Sequence, residues 1–132
     1  MTGEQSETPL RIVIADDEVD VRELLAEMIR REPSFSLVAT AADASQAIDA
    51  VERERPDVAL IDAHMPAGGG VRALREIAER VPETATVVLS AFDSQNKVVE
   101  HLDAGAVAYL VKPVARQELV ATLERAVAAH RS

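Results

Sequence analysis

The 132-residue sequence predicts a doubly wound α/β sandwich: five βα units, with a parallel five-stranded sheet between layers of helices. Three observations carry this expectation. Five short apolar runs of strand length alternate with five stretches of helical period. The runs Ile12-Val13-Ile14 and Val87-Val88-Leu89 show no alternation with polar residues, as strands buried on both faces require. Pro33, Pro56, Pro82 and Gly105 each punctuate the end of a helical stretch.

Residues 1–9 have no apolar periodicity and end in Pro9, so they are expected to form a disordered tail ahead of a domain spanning residues 10–130. They also lack the basic start and apolar run of a signal peptide. The first strand is expected at Leu10–Ala15, and Val21, Leu24, Leu25, Met28 and Ile29 then fall on one helical face. Phe35–Thr40 reads as the second strand, followed by a helix with Ala44, Ala47, Ile48 and Val51 on one side. Asp57–Ile61 is the third strand, and Val71, Leu74, Ile77, Ala78 and Val81 mark its helix. Thr86–Leu89 precedes the weakest helix, Ser94–Ala104, whose only large apolar residues are Val98, Val99 and Leu102. Val107–Val111 and a last helix bearing Leu119, Val120, Leu123 and Val127 complete the pattern.

Composition narrows the function. With 14 Lys and Arg against 23 Asp and Glu, the net charge of −9 argues against binding to nucleic-acid backbones, which draws on Lys and Arg. The absence of Cys excludes a disulfide scaffold, a thiol nucleophile and thiolate metal sites. Phe35, Phe92 and Tyr109 are the only aromatics, too few for a base-stacking platform. No apolar stretch approaches the ~18 residues of a membrane span, so a cytoplasmic location is expected. His64, His101 and His130 sit on different elements without metal-ligand spacing, and all three are expected at the surface.

In a doubly wound sheet, ligands bind beyond the carboxyl ends of the strands. The residues following the apolar runs are Asp16-Asp17, Asp62, Ser90 and Lys112, whereas strand two ends blandly at Thr40, as suits an edge. Each alone has a structural explanation: a helix cap, an Asx turn or a solvated tip. Together they bring three carboxylates, a hydroxyl and an ammonium to one edge of the sheet. Crowded carboxylates repel one another unless a cation lies among them, and oxygen-only donors suit a hard ion such as Mg²⁺. An ammonium and a hydroxyl serve a phosphoryl group, and a carboxylate can accept one as an acyl phosphate.

These motifs resemble the receiver domain of two-component response regulators over about residues 10–130. They are Ile-Ala-Asp16-Asp17-Glu18, Asp62-Ala-His-Met65-Pro66 with Gly70, Ser90-Ala91, and Tyr109-Leu-Val-Lys112-Pro113. The resemblance implies a flavodoxin-like sheet of order 2-1-3-4-5 and a signalling phosphoacceptor rather than a turnover enzyme. Asp62 would take a phosphoryl group from a sensor histidine kinase or phosphotransfer protein. Asp17, Asp62 and the backbone carbonyl of His64 would hold Mg²⁺ (or Mn²⁺), with Asp16 acting through water. Lys112 would pair with a phosphate oxygen, Ser90 would swing toward the phosphate, and Tyr109 would move from exposed to buried. Lys112-Pro113 would be a cis peptide. The surface from the fourth helix through strand five to the last helix would then signal to an output domain or a downstream protein, and a homodimer is among the expected partners.

Three departures matter. Ser90 stands where Thr is commoner, which removes the β-branch that stiffens χ1. Gly68-Gly69-Gly70 makes the loop after Asp62 permissive. His64 and Phe92 each lie two residues past a key group, where the family tunes the lifetime of the acyl phosphate, and Phe92 is expected to shield it from water. Two rival chemistries fit less well. A haloacid-dehalogenase-type phosphatase needs a second acid where His64 stands, and Asp16-Asp17 would repel the phosphate of a flavin mononucleotide. A receiver-like module that is never phosphorylated would not need the Asp16, Asp17, Asp62 and Lys112 set. The last helix runs to Ser132, and the chain is expected to be either a stand-alone regulator or the amino-terminal piece of a longer protein.

Overall fold

The computed structural model describes residues 8–92 and 94–132. Its elements alternate as β1 (Leu10–Ala15), α1 (Val19–Arg30), β2 (Phe35–Ala41), α2 (Ala44–Glu54), β3 (Val58–Asp62), α3 (Gly69–Arg80), β4 (Ala85–Ser90), α4 (Gln95–Asp103), β5 (Ala108–Val111) and α5 (Arg116–Arg131). The five strands form one parallel sheet in the order β2-β1-β3-β4-β5, the doubly wound arrangement that the alternating pattern predicts. Residues 1–7, most of the expected tail, lie outside the described residues, while Thr8 and Pro9 are exposed and carry no regular structure. Among the described residues no helix is long and apolar enough to cross a membrane.

Burial explains why the strands read as continuous apolar runs. Alternate side chains point to opposite faces of a strand, and here both faces are covered. Ile12, Ile14, Val58, Leu60, Val87 and Leu89 pack with Leu25 and Ile29 of α1 and Leu119 and Leu123 of α5. Val13, Ala15, Ala59, Ile61 and Val88 pack on the other face with Ile48 and Val51 of α2 and Leu74 and Ile77 of α3. The β1–β2 register slips between Ile12 and Val13, a local irregularity at the β2 edge. Helix α2 opens with a reciprocal cap: Asp43 accepts from the Gln46 amide at 2.7 Å, and the Gln46 side chain accepts from the Ala42 amide at 2.9 Å.

The weak fourth helix buries a residue that the sequence places at the surface. Val99 and Leu102 are 47% and 41% exposed, and the one buried residue of α4 is His101 at 2%. This corrects the surface placement expected for all three histidines, which His64 and His130 alone follow. The reason is phase. Val98, His101 and Ala104 recur at three-residue intervals and form the less exposed side of the segment, whereas Val99 and Leu102 stand about one position further round the helix. The His101 ring then packs edge-on against Tyr109 of β5, with centroids 5.6 Å apart.

Candidate functional site

Parallel strands deliver all their carboxyl ends to one edge, so side chains far apart in sequence converge there. Asp16 and Asp17 follow β1, Asp62 and Ser90 are the last residues of β3 and β4, and Lys112 follows β5. Because β1 and β3 are neighbours, carboxylate oxygens of Asp16, Asp17 and Asp62 lie within 4.8 Å of one another. Asp16 and Asp62 are buried, at 1% and 4% exposure, while Asp17 is exposed. The Lys112 ammonium reaches between them, 3.0 Å from Asp16 Oδ2 and 3.4 Å from Asp62 Oδ1. The Lys112–Pro113 peptide at the end of β5 is cis.

Asp16 is held on every side. Its Oδ1 accepts the Glu18 amide at 2.9 Å, and Arg22 donates to its backbone carbonyl at 2.9 Å. Sequence reasoning did not single out Arg22. Its signal was a base in the first turns of the helix that follows an acidic pair. Asp62 is held more loosely, since its Oδ1 receives the His64 amide and Lys112 Nζ each at 3.4 Å. Gly70 keeps the loop after Asp62 close. A Cβ there would lie 2.9 Å from the Asp62 carbonyl oxygen and 3.0 Å from the Ala63 Cα, both backbone atoms with little room to yield.

This packing sets the electrostatics. Burial, and then the negative charge of Asp16, push the Asp62 carboxyl from 3.8 up to about 6, against the opposing pull of the Lys112 charge, the His64 amide and the Lys112 hydrogen bond. Burial works against the charge of Lys112. The hydrogen bond that it donates to Asp16 and the charges of Asp62 and Asp16 outweigh it and hold the ammonium above its ordinary pKa. Three acids against one ammonium leave negative charge uncompensated. The donors are all oxygens, from two buried carboxylates and one exposed carboxylate at the ends of adjacent strands, and this set fits a hard divalent cation.

The mouth over Asp62 is a hollow of about 220 Å³ lined by Asp17, Glu18, His64, Ala91, Phe92 and Lys112. The rings of His64 and Phe92 meet edge-to-face across it, with centroids 5.0 Å apart. A larger groove of about 540 Å³ runs alongside, between the Gly68–Gly70 loop and α4, but it touches none of Asp16, Asp62, Ser90 and Lys112. Ser90 is fully buried, and its hydroxyl oxygen accepts the Phe92 amide at 3.1 Å. Tyr109 is half-buried and donates its hydroxyl to the Phe92 carbonyl at 2.6 Å. Every residue nominated from the sequence therefore stands in or beside one site.

The model of the response regulator receiver domain matches residues 12–124. The chain belongs to the receiver family. Among curated relatives, the transcriptional regulatory protein PdtaR of Mycobacterium tuberculosis is 38% identical over 130 residues, covering 98% of this receiver and 62% of PdtaR. The transcriptional regulatory protein DegU of Brevibacillus brevis is 36% identical over 120 residues, covering 91% of this receiver and 51% of DegU. The chain thus spans between half and two thirds of these two regulators. Among solved structures, the signal receiver domain of the response regulator NarL from M. tuberculosis aligns with a TM-score of 0.89 and 27% identity, covering 92% and 98% of the two chains. The receiver domain of the sensor histidine kinase PA1611 from Pseudomonas aeruginosa, solved with a magnesium ion coordinated in its active-site cleft, aligns at 0.81 with 29% identity over 92% and 99%.

Proposed function

We propose that this receiver is the phosphoacceptor of a two-component pathway, with Asp62 as the acceptor. The observation that carries the reading is the Asp16–Asp17–Asp62 cluster with Lys112 Nζ lodged between Asp16 and Asp62 at the carboxyl edge of the sheet. With a pKa of about 6, Asp62 is largely ionised at neutral pH and remains a usable nucleophile.

An Asp62 oxygen attacks the phosphorus of a phosphohistidine on a sensor kinase or phosphotransfer protein. The P–N bond breaks, the imidazole nitrogen leaves as it takes up a proton, and an acyl phosphate forms. Lys112 stands ready to neutralise one phosphoryl oxygen. Asp17, Asp62 and the His64 carbonyl would hold Mg²⁺, or Mn²⁺, directly. Asp16 would act through water, as suits a carboxylate already engaged by Lys112 and the Glu18 amide. The cation supplies positive charge to the transferring oxygens. Hydrolysis reverses the state, as water attacks phosphorus, the P–O bond to Asp62 breaks and inorganic phosphate leaves.

The phosphoryl group adds about two negative charges and three acceptor oxygens to the mouth. Ser90 and Tyr109 are the groups placed to respond, and both already bond the backbone of Phe92. The surface of α4, β5 and α5, where Val99, Leu102 and Val111 are exposed, is then the face through which the state is read, in the cytoplasm, by an output domain or downstream protein. The test is labelling with acetyl phosphate followed by intact mass. Addition of one phosphoryl group should require Mg²⁺ and disappear in Asp62→Asn, and undiminished labelling of that variant would refute the assignment.

A further inference from the structure

Helix α4 is tied to the body of the protein by an unusual anchor. Its one buried side chain is an imidazole, 2% exposed, where amphipathic helices normally bury a branched aliphatic group. The ring is oriented on one side by a 2.7 Å hydrogen bond between Nδ1 and the Lys97 carbonyl. A carbonyl oxygen only accepts, so Nδ1 carries a proton, and in the neutral ring Nε2 then presents a lone pair. That lone pair is buried and receives no hydrogen bond among the described residues. A second side of the ring meets Tyr109 at 5.6 Å between centroids, inclined by 69°.

These contacts continue a chain that starts at Ser90, the last residue of the strand beside the one that ends in Asp62. Ser90 Oγ holds the Phe92 amide at 3.1 Å, the Phe92 carbonyl holds the Tyr109 hydroxyl at 2.6 Å, Tyr109 packs on His101, and His101 Nδ1 holds Lys97 of α4. We propose that His101 is the positioning residue that couples α4 to the phosphorylation site through Tyr109. The proposal rests on the phosphoacceptor reading of Asp62 and specifies how that reading reaches α4.

The physical argument is a comparison of two arrangements. With Ser90 Oγ on the Phe92 amide, the Phe92 carbonyl is held in place and fixes Tyr109, leaving His101 Nε2 without a donor. A buried acceptor left unpaired favours any conformer that pairs it. When Ser90 turns to a phosphoryl oxygen, the Phe92 amide loses its acceptor and the bond from Tyr109 is free to rearrange. Tyr109 and His101 then move together, and Nε2 gains a donor, either the released Tyr109 hydroxyl or water from the adjacent groove, which His101 also lines together with Lys97 and Glu100. An aliphatic residue at this position would pack equally well in the first arrangement but would have nothing to gain in the second. The histidine thus gives α4 two discrete positions that a phosphoryl group can select between.

The experiment is heteronuclear NMR of the full chain before and after addition of Mg²⁺ and beryllofluoride, an acyl-phosphate mimic, with acetyl phosphate labelling run in parallel. In the wild type, the His101 Nε2 resonance should move from a free lone pair toward a hydrogen-bonded one, and the amides of residues 95–103 should shift. In His101→Phe, labelling of Asp62 should stay within twofold of wild type while the α4 amide shifts fall severalfold. Tyr109→Phe separates the two donors, since it abolishes the Nε2 change only where the Tyr109 hydroxyl supplies the bond. Normal labelling with a full α4 response in His101→Phe would overturn this inference alone, as would an Nε2 resonance that ignores beryllofluoride in the wild type. Failure of the wild type to label would overturn the phosphoacceptor reading and this inference with it.

Discussion

Replacing Asp62 by Asn should make the metal-free protein more stable at neutral pH, although it removes the acceptor. Asp62 titrates at about 6 in the fold and near 3.8 when unperturbed. Between those values the native state binds more protons than the unfolded chain, so stability falls as pH rises through the window and the full penalty stands above pH 6. The gap of about two pH units sets an upper bound of about 3 kcal/mol at ~1.36 kcal/mol per unit, and solvent at the mouth of the site lowers it. Asn carries no charge to desolvate beside Asp16, and Lys112 keeps its 3.0 Å partner on Asp16 in the variant. The stabilisation should therefore be largest above pH 6, within that bound, and vanish near pH 4. The assay is urea unfolding in EDTA from pH 4 to 8, followed by far-UV circular dichroism because the chain has no Trp. A variant less stable than wild type at pH 7.5, or a stabilisation that does not change with pH, would refute the reasoning. Excess Mg²⁺ should narrow the difference, since a cation between the carboxylates stabilises the wild type more than the variant.

Three further outcomes follow from the same geometry. Lys112→Met removes the charge and the hydrogen bond that hold the Asp62 pKa down, so Asp62 should titrate above 6 by carboxyl ¹³C NMR; a value unchanged or lower would contradict the geometry. Ser90→Ala should leave Mg²⁺ affinity unchanged by titration while the phosphate-dependent shift of Tyr109 weakens, at a stability cost of about 1 kcal/mol for the Phe92 amide bond. Equal loss of both would move Ser90 from the switch to the metal site. Phe92→Ala removes the ring that meets His64 across the mouth, and the acyl phosphate should then hydrolyse severalfold faster. An unchanged lifetime would show that the ring does not exclude water.

The fold and most of the candidate site were legible because their signals are local. Continuous apolar strands, helical periodicity and polar residues just past each run follow from which faces are buried, and the resemblance to receivers drew on the same strand-end residues. Strand ends shifted by only a residue or so, with β3 running Val58–Asp62 where Asp57–Ile61 was expected, because terminal pairing depends on the neighbouring strand. His101 was misplaced for a different reason. Counting large apolar residues gave Val98, Val99 and Leu102, whereas the phase of His101 and Ala104 decides which side α4 turns inward, and that phase is set by what it packs against. Arg22 was missed as a support for Asp16 because a base in the first turns of a helix is a weak signal and its partner here is a backbone carbonyl.

The sequence by itself determined the parallel α/β class, the alternation of elements and the residue types available at one edge of the sheet, since burial pattern and strand-end chemistry are written in consecutive residues. Only the tertiary structure decided how charged that edge becomes. The burial of Asp62, its distance from Asp16 and the reach of Lys112 between them depend on strands 46 to 96 residues apart in the chain, and these set a carboxyl at about 6 rather than near 3.8. Electrostatic energy in a low-dielectric pocket varies with angstrom-scale separations, and those exist only once the strands are laid side by side.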